Sequence, residues 1–318
     1  MKAARLDPAP FVLLAGVALG ALALVGTPST WITLTVAGLA MGLLVFIMAL
    51  GLTLVFGLMD VMNFAHGLFI AVGAYVAVST LKVAGPGLGA LLPAVLAAMA
   101  AAGLLGLLFE RIIVRPVYGQ HVKQILITTG GMIVAEQLIH VVWGPDLLPL
   151  PRPDALRGSF FFGEVALEKY RLACVGIGLA VFAAMAFTLN RTKLGLLIRA
   201  GVENKEMVEA MGYRVRRLFV AVFAAGSALA GLGGALWGMY QEAVTVSIGA
   251  QMMVLIFIVI IIGGLGSVTG CFVGALLVGL MANYVGYLSP KVALGSNILL
   301  MVGVLLWRPR GLYPVSRP

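Results

Sequence analysis

The sequence predicts an all-α fold: a polytopic bundle of about ten transmembrane helices, forming one membrane domain over 1–318. Three observations carry this. Of 318 residues, 62% are hydrophobic and only 10% charged, and no polar stretch is long enough to make a soluble domain of its own. Apolar runs of 16 to 27 residues recur along the whole chain. Most are long enough to cross a hydrocarbon core of roughly 30 Å at about 1.5 Å per residue. The runs are continuous rather than alternating over about ten residues, which points to helices and not to barrel strands.

The first run, 10–27, follows a start carrying Lys2 and Arg5, as a signal peptide would. Its one A-x-A-like triplet, Ala21 to Ala23, lies inside the run rather than after it, so an uncleaved first helix is expected. Runs at 32–56 and 64–81 flank the polar stretch "DVMNFAHG" (60–67), and 86–109 comes next. The run 125–143 ends at Trp143, a residue suited to a membrane interface. Segments 172–189 and 218–240 flank the longest basic loop, and 250–266, 268–288 and 293–307 close the chain. Ten crossings leave both termini on one side. With that side taken as cytoplasmic, 15 Lys and Arg lie inside against six outside, so the positive-inside rule selects cytoplasmic termini. Eight crossings, with one pair of segments only dipping into the membrane, leave the ends on the same sides. For 64–81 a spanning and a re-entrant reading both stand.

Two hydrophilic segments interrupt the runs. The outside, periplasmic loop at 143–170 is rich in proline and carries both charge signs, which reads as an ordered-turn loop. The cytoplasmic loop at 190–217 has no proline from Arg199 to Met211. There Glu203, Lys205, Glu206 and Glu209 alternate with Val202, Met207, Val208 and Ala210, a short amphipathic helix closed by Gly212. Glycines recur at four-residue spacing at Gly16 and Gly20, Gly38 and Gly42, Gly234 and Gly238, and Gly266, Gly270 and Gly274. Such spacing lets helices approach closely where lipid supplies no hydrophobic drive. The stretches at 57–67 and 264–274 share Gly-Leu-x-x-Val and a closing Gly, a faint echo of the repeats found in transporters with broken helices. Cys174 and Cys271, both in apolar runs, read as packing residues.

The net charge of +9 is spread over short loops, so topology explains it and nucleic acid binding does not. His66, His121 and His140 lie in different segments without ligand spacing, and no P-loop, nucleophile elbow or HExxH occurs. The chain reads as neither an enzyme nor a metal protein. What remains is polarity inside apolar surroundings. Asp60, Asn63 and His66 follow i, i+3, i+6 spacing, which on a continuous helix places them within about 120° of arc on one wet or protein-facing side. An ordinary turn, with Asp60 or Asn63 capping the next helix, explains the same residues. Glu136, Gln137 and His140 form a second cluster, open to a path-lining or an interhelical hydrogen-bonding role. Gln241, Glu242, Gln251 and Asn283 fall near expected helix ends, where solvent accounts for them.

Five motifs, in order along the chain, carry a resemblance: "GLTLVFGLMDVMNFAHG" (51–67), "TTGG" with "WGP" (128–145), "RTKLGLLIRAGVENKEMVEAMG" (191–212), "GGLGSVTGCFVGALLVGL" (263–280) and "LWRPRGLYP" (306–314). The chain resembles the permease subunits of branched-chain amino acid, urea and short-amide ABC importers, and among them the H-type subunit. The resemblance implies an inner-membrane permease that pairs with a homologous second permease, two cytoplasmic ATPase subunits and a periplasmic solute-binding protein. ATP and Mg would sit on the ATPase subunits, with no cofactor on this chain. It also implies a coupling helix at about 203–211, with Arg199, Glu203, Lys205, Glu206, Glu209 and Gly212 engaged at the ATPase. Without the resemblance, that helix lies equally well on anionic lipid. Asp60, Asn63, His66 and Gln137 are the expected path or gate residues, and Gly234, Gly238, Gly266, Gly270 and Gly274 the expected packing residues. One departure is Leu68, where many members carry an acid directly after His-Gly. The rival reading is a self-sufficient transporter in which Asp60, Glu136 and the histidines relay protons.

Overall fold

Apolar chain in a medium without water has one local way to pair its backbone, the α-helix. In the computed structural model, which describes residues 8–85, 87–203 and 205–314, the helices are α1 (Ala9–Val25), α2 (Pro28–Met59), α3 (His66–Ala84), α4 (Leu88–Phe109), α5 (His121–Trp143) and α6 (Lys169–Arg191). Then come α7 (Lys193–Glu203), α8 (Lys205–Ala210), α9 (Val215–Gln241), α10 (Ile248–Gly263), α11 (Val268–Leu288) and α12 (Ala293–Trp307). Side chains of residues 199, 202, 203, 205 and 294 lie outside the description, so the expectations for Arg199, Glu203 and Lys205 fall there. Among the described residues, seven helices are long and apolar enough to cross a membrane, and α1, α10 and residues 295–307 are shorter apolar helices. These ten correspond one for one to the expected runs. The main differences are at 264–266, which is not helical, and in the 190–217 loop, where α7 begins at Lys193 and α8 ends at Ala210 instead of one helix covering 203–211.

The helix α2 is the axle of the bundle. Every residue from Gly42 to Val55 is buried, as befits a helix apolar on all sides, and α9, α11, α6 and α10 surround it. Close approach depends on small residues. A Cβ on Gly51 would lie 2.2 Å from the Gly226 carbonyl oxygen of α9, and one on Gly279 of α11 would lie 2.3 Å from Gly38 O. The expected packing glycines Gly234, Gly270 and Gly274 meet backbone of α3 and α10, and Gly238 meets Leu150 and Val244 side chains. Gly266 packs too, against Gly57 of α2, but with φ +79 it does so from the turn after α10 and not from within the expected helix 250–266. Gly16 and Gly20 of α1 have nothing within 4 Å of a built Cβ, so their spacing serves no close approach among the described residues. Cys174 and Cys271 are free and buried.

The chain ends and loops collect at opposite ends of the bundle. At the first, Gly201 of α7 lies against Leu58, Gly57 against Gly266, and Gly311 against Gly264. There the Leu312 N–H donates to Ile262 O (2.8 Å) and the Tyr313 N–H to Gly263 O (3.0 Å), so the "RPRGLYP" tail supplies the donors that the end of α10 lacks. At the second, strand β1 (Leu148–Pro149) pairs with residues Ala243–Val244, and the hairpin of Ser159–Phe162 with Val165–Glu168 turns at Gly163. Arg152 fastens this end, donating to Met239 O and Tyr240 O and pairing with Glu168 and Glu242, each at 3.2 Å. The 143–170 loop is thus an ordered clasp.

Gly51→Ala is expected to lower the thermal unfolding midpoint of the purified chain, with a destabilisation of about 1–3 kcal/mol as in overpacked cores. Gly16→Ala, in open space, is expected to leave the midpoint unchanged or slightly raised. Equal effects of the two would contradict the packing assignment.

Candidate functional site

The polar stretch at 60–67 is where the longest buried helix stops. Asp60 adopts the left-handed region (φ 53), which a short acidic side chain tolerates, and its N–H closes α2 on Phe56 O at 3.0 Å. Residues 61–65 then run without regular structure, and α3 begins at His66. The His66 ring bonds to Met48 O at 2.9 Å; because a carbonyl only accepts, Nε2 carries the proton. Met48 lies 11 residues before the end of α2, roughly 16 Å at helical rise, so α3 starts against the interior of α2 rather than beyond its end.

Irregular backbone at membrane depth is tolerated only where protein covers and pairs it. Val61, Asn63 and Ala65 are buried. Asn63 Oδ1 accepts the Ala65 N–H at 3.0 Å, and the His66 N–H donates to Asn63 O at 3.3 Å. The Phe64 N–H donates across to Thr128 Oγ1 of α5 at 3.1 Å, while the Thr128 hydroxyl donates to Gln124 O. A second tie to α5 is the pair Asp60 to His121, 3.6 Å apart, with both side chains about half exposed. The first turn of α3 also meets the first turn of α10, where a Cβ on Gly67 would lie 2.6 Å from Gly249 O. Among the described residues, several buried polar atoms have no hydrogen-bond partner: Asn63 Nδ2, Gln124 Oε1, Glu110 Oε2 and Glu136 Oε1.

Asp60, Asn63 and His66 are therefore together, but not as three residues on one continuous helix face. Residues 61–65 form a turn, with Asn63 in an Asx turn, but neither Asp60 nor Asn63 caps α3 as expected: its N-cap is Ala65, without a side-chain cap bond. Gln137 is not brought to this place: the buried face of α5 is Gln124, Thr128, Met132, Ala135 and Ile139, and Gln137 is exposed on the opposite side. Leu68 lines an apolar cavity of about 570 Å³ between α3, α4 and α5, together with Leu105, Phe109 and the paired glycines Gly130 and Gly131. An acid at 68 would face that apolar wall, which accounts for leucine there.

Residues missed in the sequence are Gln124, Thr128, His121 and Glu110. Gln124 and Thr128 stand four apart on an otherwise apolar face, a signal that was available. Glu110 was hidden because the expected span stops at 109, whereas the helix continues as a π-helix over Glu110–Val114 with Glu110 fully buried. Its carboxylate accepts from the Tyr118 hydroxyl.

In the 190–217 loop, Gly212 closes α8 as expected, with φ +84 and its N–H on Glu209 O at 2.9 Å. Val208 is buried against the bundle, whereas Glu206, Met207 and Glu209 are exposed.

The family described as branched-chain amino acid transport system / permease component matches residues 34–306. The chain is similar to the high-affinity branched-chain amino acid transport system permease protein BraD of Pseudomonas aeruginosa, 30% identical over 298 residues covering 89% of this chain and 95% of that one. LivH of Escherichia coli K12, of the same description, is 26% identical over 293 residues, 88% of this chain and 94% of LivH. LivM of the same organism is 28% identical over 310 residues, 90% of this chain but 71% of LivM. No solved structure gives a match.

Thr128→Val leaves the partly buried Phe64 N–H without its acceptor and is expected to destabilise by about 1 kcal/mol, with Thr128→Ser restoring most of the loss. Gln137→Leu, on the exposed face, is expected to leave the unfolding midpoint of the isolated chain unchanged. Thermal unfolding of the three variants in one detergent checks both statements.

Proposed function

The chain belongs to the family of permease components of branched-chain amino acid transport systems, and from that premise we propose that it imports branched-chain amino acids or related small polar solutes, such as urea or short amides, as the H-type permease of an ATP-driven transporter. The observation that carries this is the end-to-end correspondence with BraD and LivH, at 95% and 94% of their lengths, against 71% of LivM. The self-sufficient transporter reading draws no support from relatives that are each called a permease protein of a transport system.

In this proposal the chain pairs with a second, homologous permease, two ATPase subunits bind ATP and Mg on the cytoplasmic side, and a periplasmic binding protein delivers the solute. The basic asymmetry of the loops puts both termini and α7–α8 in the cytoplasm. Glu206 and Met207 face the ATPase, and Arg199, Glu203, Lys205 and Glu209 belong to the same coupling segment. Movement of α8 passes to α7, whose Gly201 touches Leu58, two residues before the break at Asp60. The break is joined to α5 through Phe64 to Thr128 and Asp60 to His121. The helix α5, standing over the apolar cavity, has room to shift and open or close the path. Asn63 and His66 then position the gate, Asp60 links it to α5, and Gln137 faces the path or the second permease.

The test is co-purification of the tagged chain with its neighbours, followed by uptake in proteoliposomes. ATP-dependent uptake is expected only when the ATPase subunits and the binding protein are present. Met207→Asp is expected to reduce retained ATPase by about tenfold or more, a loss of about 1.4 kcal/mol. Uptake by the chain without ATPase subunits would sink the proposal.

A further inference from the structure

At the loop end, where α4 runs out and α9 begins, a second cavity of about 280 Å³ is lined by Arg115, Tyr118, Glu209, Arg216 and Phe219. Its parts come from three places in the chain: the turn after the π-helix, the last turn of α8 and the first turns of α9. The lining residues include two arginines and one glutamate, all three exposed, so they bring an excess positive charge to a mostly apolar hollow. Among the described residues, neither Arg115 nor Arg216 forms an ion pair. The polar wall is completed by Tyr118, whose hydroxyl hydrogen is committed to the buried Glu110 carboxylate. Burial, with the Glu110 contact adding to it, pushes the Tyr118 phenol well above its ordinary range, so it stays protonated. The donors left for a ligand are therefore the two arginines. Phe219, edge-on to Tyr118 at 6.2 Å, forms an apolar floor.

Position and size narrow the ligand. Arg115 and Arg216 lie within three residues of the ends of membrane spans Leu88–Val117 and Val215–Gln241, the level of lipid headgroups. Guanidinium groups match phosphate oxygens in geometry and charge, and basic pockets between transmembrane helices on the cytoplasmic side bind anionic headgroups. The volume is near the lower end for small-ligand sites, roughly 300 Å³, which suits a phosphate-bearing headgroup better than a protein segment.

We infer that the Arg115–Arg216 cavity binds a phosphate group, supplied by an anionic lipid headgroup or by a free cytoplasmic phosphate, and that Glu209 of α8 opposes it. Occupancy joins the turn after the π-helix to α9 through one anion and sets the charge facing the last turn of α8. The inference rests on the loop end lying at the membrane surface and not on which solute is carried.

The test uses the full chain with its co-purifying partners, in vesicles of phosphatidylcholine with or without phosphatidylglycerol, and counts retained lipid by native mass spectrometry after extraction. A parallel arm titrates inorganic phosphate against thermal unfolding in detergent. Wild type is expected to retain phosphatidylglycerol or to be stabilised by phosphate. Arg115→Gln and Arg216→Gln should each weaken binding by about tenfold, with lysine at either position retaining most of it. Glu209→Gln should tighten binding severalfold, a gain that a merely structural role for these residues does not produce. Response to lipid alone assigns the headgroup, response to phosphate assigns the free anion, and either supports the site. Equal binding by wild type and the double arginine variant overturns it. So does equal loss in the control Arg217→Gln, which lies outside the cavity, or loss of ATPase subunits from the double variant with an unchanged lipid count.

Discussion

The hydrogen bond from His66 to the Met48 carbonyl decides where α3 begins, and through it how the centre of the bundle is built. A chain leaving the helix inside a membrane protein has no water with which to pair its backbone, and each unpaired group costs several kcal/mol. Residues 60–65 are admitted because three kinds of partner are at hand: the closing turn of α2, the Asn63 side chain, and Thr128 on α5. The imidazole then holds the first turn of α3 against the middle of α2. With α3 fixed there, its Gly67 sits on Gly249 and its Gly73 on Gly231, so α10 and α9 take their places from the same anchor.

The packing around this anchor shows why so many residues are glycine or alanine. In α9, Gly226 faces α2, Gly231 faces both α3 and α4, and Gly234 faces α3, so one helix is squeezed among three at backbone distance. Aromatic rings fill the space where helices diverge: Phe182 stacks on Phe272 at 3.9 Å and Phe46 meets Phe272 edge-on. Between lipid-exposed helices the hydrophobic effect offers little, so close backbone approach and a few polar contacts carry the association.

Much of this was legible in the sequence. Continuous apolar runs gave ten helices, Gly212 ended α8, and glycine spacing marked true contacts in α2, α9 and α11. The same spacing misled at Gly16 and Gly20, because a face of small residues shows that a helix can approach a neighbour without showing that this chain supplies one. The polar stretch announced a break but not its partners: Met48 is 18 residues from His66, and Thr128 is 64 from Phe64. Those pairings exist only once α2, α3 and α5 are side by side. Glu110 escaped for a different reason, since a π-helix carries the α4 span one turn past the residue at which an acid normally signals its end.

The two breaks differ in how firmly they are held, and that difference bears on where motion is admitted. After α10, the turn with Gly264 and Gly266 is gripped from two sides, by Gly57 and by two backbone hydrogen bonds from the 312–313 tail. Ser267 also caps α11 by accepting the Gly270 N–H. After α2, the ties to α5 include a threonine hydroxyl and a half-exposed Asp–His pair, and beyond them α5 stands over an apolar cavity. A rearrangement entering through α7 at Leu58 reaches both breaks at once, because Leu58 adjoins Gly57. In the proposed mechanism the α10–α11 turn passes it to α10 and α11 as a body, while at the other break α3 stays anchored by His66 and it is α5, tied through Thr128 and His121, that shifts. In the proposed coupling from the loop end, the α2–α3 break would serve as the hinge and the α10–α11 turn as the fixed bearing against which it works.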